Sequence, residues 1–143
     1  MLLPIFRRPD LAGFLRPAGY VGQIQLVQAN LRYRKSIDQA VAGADHVVNC
    51  VGILFESGKK SFDAVQEFGA KAVAEAARAA GATLTHVSAL GADSKSQSSY
   101  AHSKGRAEEA ILATVPEAVI LRPSIVFGKE DNFFNKFADM ART

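Results

Sequence analysis

Short blocks of apolar residues, separated by turn residues, organise most of this chain. "HVVNCVG" (46–52), "TLTHVSA" (83–89) and "AVILRPSIVFG" (118–128) hold β-branched residues or leucine in compact runs. Runs of that kind predict strands buried on both faces rather than the alternation of a one-sided sheet. "QIQLVQAN" (23–30) alternates polar and apolar positions, as a strand nearer a sheet edge does. "MLLPIF" is a fifth candidate, which Pro4 confines to an edge or a strand start because it cannot donate to a ladder. The helical pattern is clearest from Ser61 to Ala80. Ser61 suits a cap, Phe62, Val65, Gly69, Ala72, Val73, Ala76 and Ala80 recur on one face, and Gly81 suits a stop. That face is small enough for close approach to a sheet. Glu67, Lys71 and Glu75 read as an exposed ladder of alternating charge. Shorter helices are expected over 36–41, 100–114 and 133–141.

Strand and helix alternate in the order of right-handed βαβ crossovers, which predicts a single α/β domain over residues 1–143 with a mostly parallel sheet. In such a sheet ligands bind beyond the carboxyl ends of the strands. Cys50-Val51-Gly52, Ser88 and Pro123-Ser124 fall at those ends, and Tyr100 and Lys104 open the helix after the Ser88 loop. At i,i+4 spacing a lysine and a tyrosine share a helix face. A cation held beside a phenol favours the phenolate and suits the phenol to proton transfer. A bare Tyr-x-x-x-Lys arises by chance in roughly one chain in four of this length, so the spacing alone decides little.

Composition narrows the field further. Of the 143 residues 48% are apolar and 22% charged, a globular balance. The net charge of +3 comes from scattered basic residues without interleaved stacking aromatics, which gives no support to nucleic-acid binding. The single cysteine, Cys50, excludes an internal disulfide and points to a reducing, cytoplasm-like compartment; among valines it reads as a small core residue. His46, His86 and His102 lack a metal-ligand spacing and read as structural or surface residues. No apolar run is long enough for membrane insertion.

"VVNCVG", "HVSALGA", "YAHSK" and "VILRPSIVFG", in that order, resemble the short-chain dehydrogenase/reductase superfamily in its extended and atypical branches, the NAD-dependent epimerase/dehydratase group. "VQANLR", "GILFESG" and "SALGADS" resemble most closely the nucleotide-binding accessory subunits of respiratory complex I and their bacterial relatives. The resemblance implies a three-layer Rossmann-like fold and a nicotinamide dinucleotide cofactor. It implies Tyr100 as acid/base and Lys104 as the group that favours its phenolate and bonds the nicotinamide ribose. Ser88 stands nearest to the family's carbonyl-binding serine. Asn49, Val51 and Gly52 match the Asn-x-x-Gly segment beside the adenosine ribose, Asn30 and Leu31 fall at the adenine, and Pro123 and Ser124 border the nicotinamide. Arg7 or Arg8 suits a 2′-phosphate, favouring NADP(H), with NAD(H) as the other candidate. The implied partners are the dinucleotide and subunits of a respiratory complex, at the inner membrane periphery and on the matrix side in a eukaryote.

Two departures shape the expectation. The usual serine lies a residue or two beyond Ser88, where this chain has Ala89 and Leu90, and losing an oxyanion donor costs on the order of 3 kcal/mol. The first strand, glycine-rich turn and helix that receive a pyrophosphate have no counterpart, since "GYVG" (19–22) precedes a strand rather than following one. The chain is therefore expected to be a shortened piece that binds cofactor weakly on its own, with the strands at 1–6 and 23–30 left without a neighbour that bridges them to the rest. Two functions fit: a nucleotide-binding accessory subunit with little or no turnover, or an active NADP-dependent reductase, epimerase or dehydratase acting on a small carbonyl or nucleotide-sugar substrate.

Overall fold

The computed structural model describes residues 1–54, 56, 61–129, 131 and 133–142; most of the 55–60 stretch, with the latter half of the "GILFESG" motif, lies outside the described residues. Strands β1 (Ile5–Phe6) and β2 (Val27–Gln28) pair in parallel, extended by a bridge between Leu2 and Ile24. Strands β3 (His46–Asn49), β4 (Thr83–Val87) and β5 (Val119–Leu121) form a second parallel sheet in that order, with Asn49 opposite His86 and His86 opposite Ile120. The α/β class and the parallel strands are as expected. So is the division into two sheets, since nothing among the described residues joins β2 to β3.

Three helices cover one face of the larger sheet. Helix α1 (Arg34–Val41) precedes β3, α2 (Phe68–Ala80) crosses from β3 to β4, and α3 (Ser99–Thr114) crosses from β4 to β5. Their core gathers Ile37 and Val41 from α1, Val73 and Ala74 from α2, Ala107 and Ile111 from α3, and Val47 and Leu84 from the sheet. The other face differs from the expectation of strands buried on both sides. The burial of β3 and β4 alternates, and Val48, Val119 and Leu121 remain 56%, 52% and 49% exposed. The apolar blocks supply residues for two buried faces, and only one is covered. For the same reason Cys50, expected in the core, is exposed.

Helix α2 shows why its inward face is built of alanine and glycine. Ala70, Ala74, Ala76 and Ala77 are all buried, and a Cβ added at Gly69 would lie 2.8 Å from Leu31 Cδ1. Ser61 Oγ accepts from the Ala64 N–H at 3.2 Å, and Gly81, at φ 71°, ends the helix in the left-handed conformation. The first turn is not regular α-helix: Asp63–Glu67 forms a π-helical segment. The anticipated charge ladder does not form along the helix either. Glu67 pairs with Arg106 on α3 at 3.1 Å, and Glu75 pairs with Arg34 on α1. Such solvent-screened pairs contribute little, so close small-residue packing is what holds the helices side by side. A run of 3-10 turns, Pro9–Ala18, follows β1 with no hydrophobic period to foretell it, and the last helix, α4 (Phe134–Ala141), buries none of its residues.

Candidate functional site

Because β3, β4 and β5 run parallel, their carboxyl ends share one rim, and the segments after them meet there. The Ser88 N–H donates to Leu121 O at 2.7 Å and the Leu90 N–H to Pro123 O at 2.9 Å, so the loop after β4 is stitched to the loop after β5. Helix α3 then rises from this loop. Ser98 caps it, and the Asp93 N–H donates to Ala101 O at 3.1 Å. The loop lies so close that a Cβ at Gly105 would come within 2.1 Å of Ser94 N. Ser88, Tyr100 and Lys104 thus belong to one rigid unit, and Pro123 and Ser124 border it.

Lys104 is the centre of the arrangement. It is only 5% exposed, and its ammonium donates to Val87 O at 3.1 Å. Two of its three N–H groups have no partner among the described residues. Gly52, in the loop after β3, faces it: a Cβ there would touch Nζ at 3.4 Å. Burial pushes the Lys104 ammonium below the ordinary lysine range, and the Glu108 charge opposes part of that fall. Tyr100, one helical turn earlier, is half-buried, its ring set edge-on to Phe62 at 6.0 Å between centroids. Its hydroxyl makes no hydrogen bond among the described residues. Ser88 turns the other way. It is 5% exposed, and its Oγ lies in the interior with no hydrogen bond of good geometry among the described residues.

The loop after β3 is held by Asn49, which the sequence singled out, and by Gln66, which residue patterning missed. Asn49, buried at the strand end, accepts from the Val51 N–H at 3.1 Å through Oδ1, so its side chain shapes a turn. Val51 and Gly52 are exposed at the rim. Gln66, 1% exposed, sits in the π-helical segment and donates from Nε2 to Ile53 O at 2.6 Å. Its Oε1 accepts from Ser103 Oγ on α3 at 3.1 Å. A polar residue within the otherwise apolar face of the 61–80 pattern was the available signal. Next to this, β4 contributes His86, buried at 2% with neither ring nitrogen hydrogen-bonded among the described residues. Burial drops its imidazole to about 4, the Lys104 charge pushes the same way, and Glu108 opposes. Glu108 is itself gripped by Arg122, Nε to Oε1 at 2.9 Å and Nη2 to Oε2 at 2.5 Å. Burial raises the Glu108 carboxyl, but the hydrogen bonds and charge of Arg122 outweigh it and hold it below the usual carboxylate range.

The residues expected at the adenine and at a 2′-phosphate lie around the smaller sheet. Asn30 follows β2; its Oδ1 accepts from the Arg32 N–H at 3.1 Å and its own N–H donates to Ser36 Oγ at 3.0 Å. Leu31 leans against the core. Arg8 is engaged by Asp10 through Nη2 at 2.6 Å, while the exposed Arg7 guanidinium makes no bond among the described residues. "GYVG" forms a turn, closed by the Gln23 N–H on Tyr20 O at 3.0 Å, ahead of β2. The rim thus presents an ammonium with donors to spare beside a glycine that leaves it open. No glycine-rich turn between a strand and a helix stands ready for a diphosphate among the described residues.

Residues 7–133 match the NAD(P)H-binding family. Among individual proteins, the chain is 37% identical over 126 residues to the mitochondrial NADH dehydrogenase [ubiquinone] 1 alpha subcomplex subunit 9 of Mus musculus, covering 87% of this chain and 33% of that protein. It is 37% identical over 109 residues to a ceramide reductase of Caulobacter vibrioides, covering 76% and 34%. The chain thus spans about a third of the length of these curated relatives. A putative NAD-dependent epimerase/dehydratase from Bacillus halodurans superposes with a TM-score of 0.73 at 22% identity, over 91% of this chain and 61% of that one. A dTDP-4-dehydrorhamnose reductase from Bacillus anthracis in complex with NADP superposes with a TM-score of 0.70 at 19% identity, over 97% and 59%. At such identities the structural likeness is one of fold.

Proposed function

Since the chain belongs to the NAD(P)H-binding family, of the extended short-chain dehydrogenase/reductase type, we propose that it serves as the nucleotide-binding part of a respiratory complex accessory subunit with little or no turnover. One observation carries the reading. Lys104 and Ser88 are both 5% exposed, but the ammonium suited to hold a nicotinamide ribose lies against the exposed Gly52 of the rim, while the hydroxyl suited to polarise a substrate carbonyl, Ser88 Oγ, is enclosed in the interior. Withholding such a donor costs on the order of 3 kcal/mol of transition-state stabilisation. When bound, the dinucleotide supplies a hydride donor or acceptor; the chain supplies the grip. Lys104 holds the ribose of the nicotinamide, Asn49, Val51 and Gly52 that of the adenosine, Pro123 and Ser124 border the nicotinamide, and Asn30 and Leu31 flank the adenine. Arg7, which has no competing partner among the described residues, takes the 2′-phosphate and favours NADP(H) over NAD(H). Without a glycine-rich turn, affinity in these 143 residues is weak. Partners are subunits of the respiratory complex, on its soluble periphery; no helix among the described residues is long and apolar enough to cross a membrane.

Fluorescence titration tests the binding half. NADPH should bind the isolated chain with a Kd weaker than about 100 μM, and Arg7→Ala should weaken NADPH roughly tenfold while leaving NADH unchanged. Micromolar NADPH affinity would refute the expectation of weak grip. Co-purification with a quinone-reducing membrane complex is the expected partner result. The second reading, an NADP-dependent reductase, draws on Tyr100 and Lys104 standing one turn apart on α3. Cofactor oxidation that disappears in Tyr100→Phe would establish it over the first.

A further inference from the structure

Lys104 poses a physical problem that its contacts solve only in part. A buried ammonium with one carbonyl as its acceptor loses hydration without full compensation, and such groups persist charged only where an opposite charge is near. Each element packed around it can be searched for that charge. From β4 comes His86, which is neutral above about pH 4, and from the loop that follows it comes Ser88. From the loop after β3 comes Gly52, and from the π-helical segment the amide of Gln66, reached through Ser103. Beyond β5 stands Arg122, another cation, and the loop over Gly105 brings Asp93, which is exposed and acts on Arg122. On α3 itself, Tyr100 lies one turn before Lys104, and Arg106 points to Glu67 and Glu109. One anion is left facing it among the described residues: Glu108, one turn after Lys104 on the same helix face and 6% exposed.

We propose that Glu108 is a positioning residue: held by Arg122 through both oxygens, its carboxylate is the buried counter-charge that keeps Lys104 an ammonium at the Val87 carbonyl. The geometry separates this from an ordinary surface pair. Arg122 is 51% exposed in its side chain and keeps its hydration alone, whereas the Glu108 side chain is 8% exposed, stands at i+4 from Lys104, and acts by its charge on both Lys104 and His86. The bidentate grip fixes the carboxylate so that the charge reaches inward from a set position. The inference rests on the reading of Lys104 as the ribose-binding residue for its functional weight, but not for its test.

The test is a pH titration of the full chain labelled with ¹³C at lysine Cε, the Lys104 signal being the one lost in Lys104→Arg. In Glu108→Gln the Lys104 midpoint should fall by about one pH unit or more, and Glu108→Asp, which keeps the charge, should recover at least half of that fall. A midpoint in Glu108→Gln within about 0.2 of the parent would overturn the proposal. A fall reproduced in full by Glu108→Asp would overturn it equally, because packing rather than charge would then be responsible. Should Glu108→Gln not fold, the reciprocal measurement decides: Lys104→Met should raise the titration of the ¹³C-labelled Glu108 carboxyl, and an unmoved carboxyl refutes the coupling. These readouts need no nucleotide, so their failure and a failure of NADPH to bind are separate results.

Discussion

Protonating His86 should destabilise this protein in a pH window well above that of ordinary carboxylates. In the unfolded chain the imidazole titrates near 6.5, and in the fold burial and the Lys104 charge bring it to about 4. Between those values the unfolded state binds the extra proton and the native state does not. The contribution to stability is therefore fully present above pH 6.5 and is lost as pH falls toward 4. A gap of about 2.5 pH units at 1.36 kcal/mol each amounts to roughly 3 kcal/mol, a large part of the 5–15 kcal/mol typical of a domain. Urea unfolding followed by circular dichroism at pH 7.5, 6.5, 5.5 and 4.5 measures it, with His86→Leu as the reference that cannot titrate. The difference between parent and variant should shrink steadily by about 2–3 kcal/mol from pH 7 to 4.5, a comparison that cancels contributions from other groups. Parallel stability curves for the two proteins would refute the assignment.

Three further outcomes follow from the packing. Gly105→Ala should cost about 3 kcal/mol or more, because the new methyl meets backbone of Asp93 and Ser94 that cannot swing aside; a midpoint shift in urea reports it. Gln66→Ala should cost about 2 kcal/mol by leaving Ile53 O without its donor, and hydrogen exchange should show faster opening of the loop at 50–54. Ile111→Ala, at a fully buried position under α3, should lower stability by about 3 kcal/mol in the same denaturation assay, with no direct effect on the rim.

The Glu108–Arg122 clamp and the buried Ser88 place the chemistry of this rim beneath α3 as much as on its surface. On the proposed reading, an ammonium that meets the open Gly52 and a Ser88 hydroxyl enclosed in the interior suit a subunit whose nucleotide stabilises structure. On that view the residues that matter for Lys104 lie behind it, where ligand contacts alone would not reveal them.

The sequence by itself determined most of the strands and α-helices and their order. Helix positions for α2 and α3, the left-handed stop at Gly81, the α/β class and the shared face of Tyr100 and Lys104 are set by neighbours a few residues apart, and local periodicity records them. What only the tertiary structure decided is which side each residue shows and to whom. An apolar block reads the same whether one face of its strand is covered or two, so β3 looked buried throughout while Val48 and Cys50 stand exposed. Glu67 and Glu75 matched Lys71 by spacing, yet helices adjacent in space offered Arg106 and Arg34. The inward turn of Ser88, the Gln66 bridge from a π-helical segment, and the grip of Arg122 on Glu108 join positions 13 to 37 residues apart or depend on the layer packed above them. Burial and charge pairing are sums over spatial neighbours, and those neighbours exist only once the chain has folded.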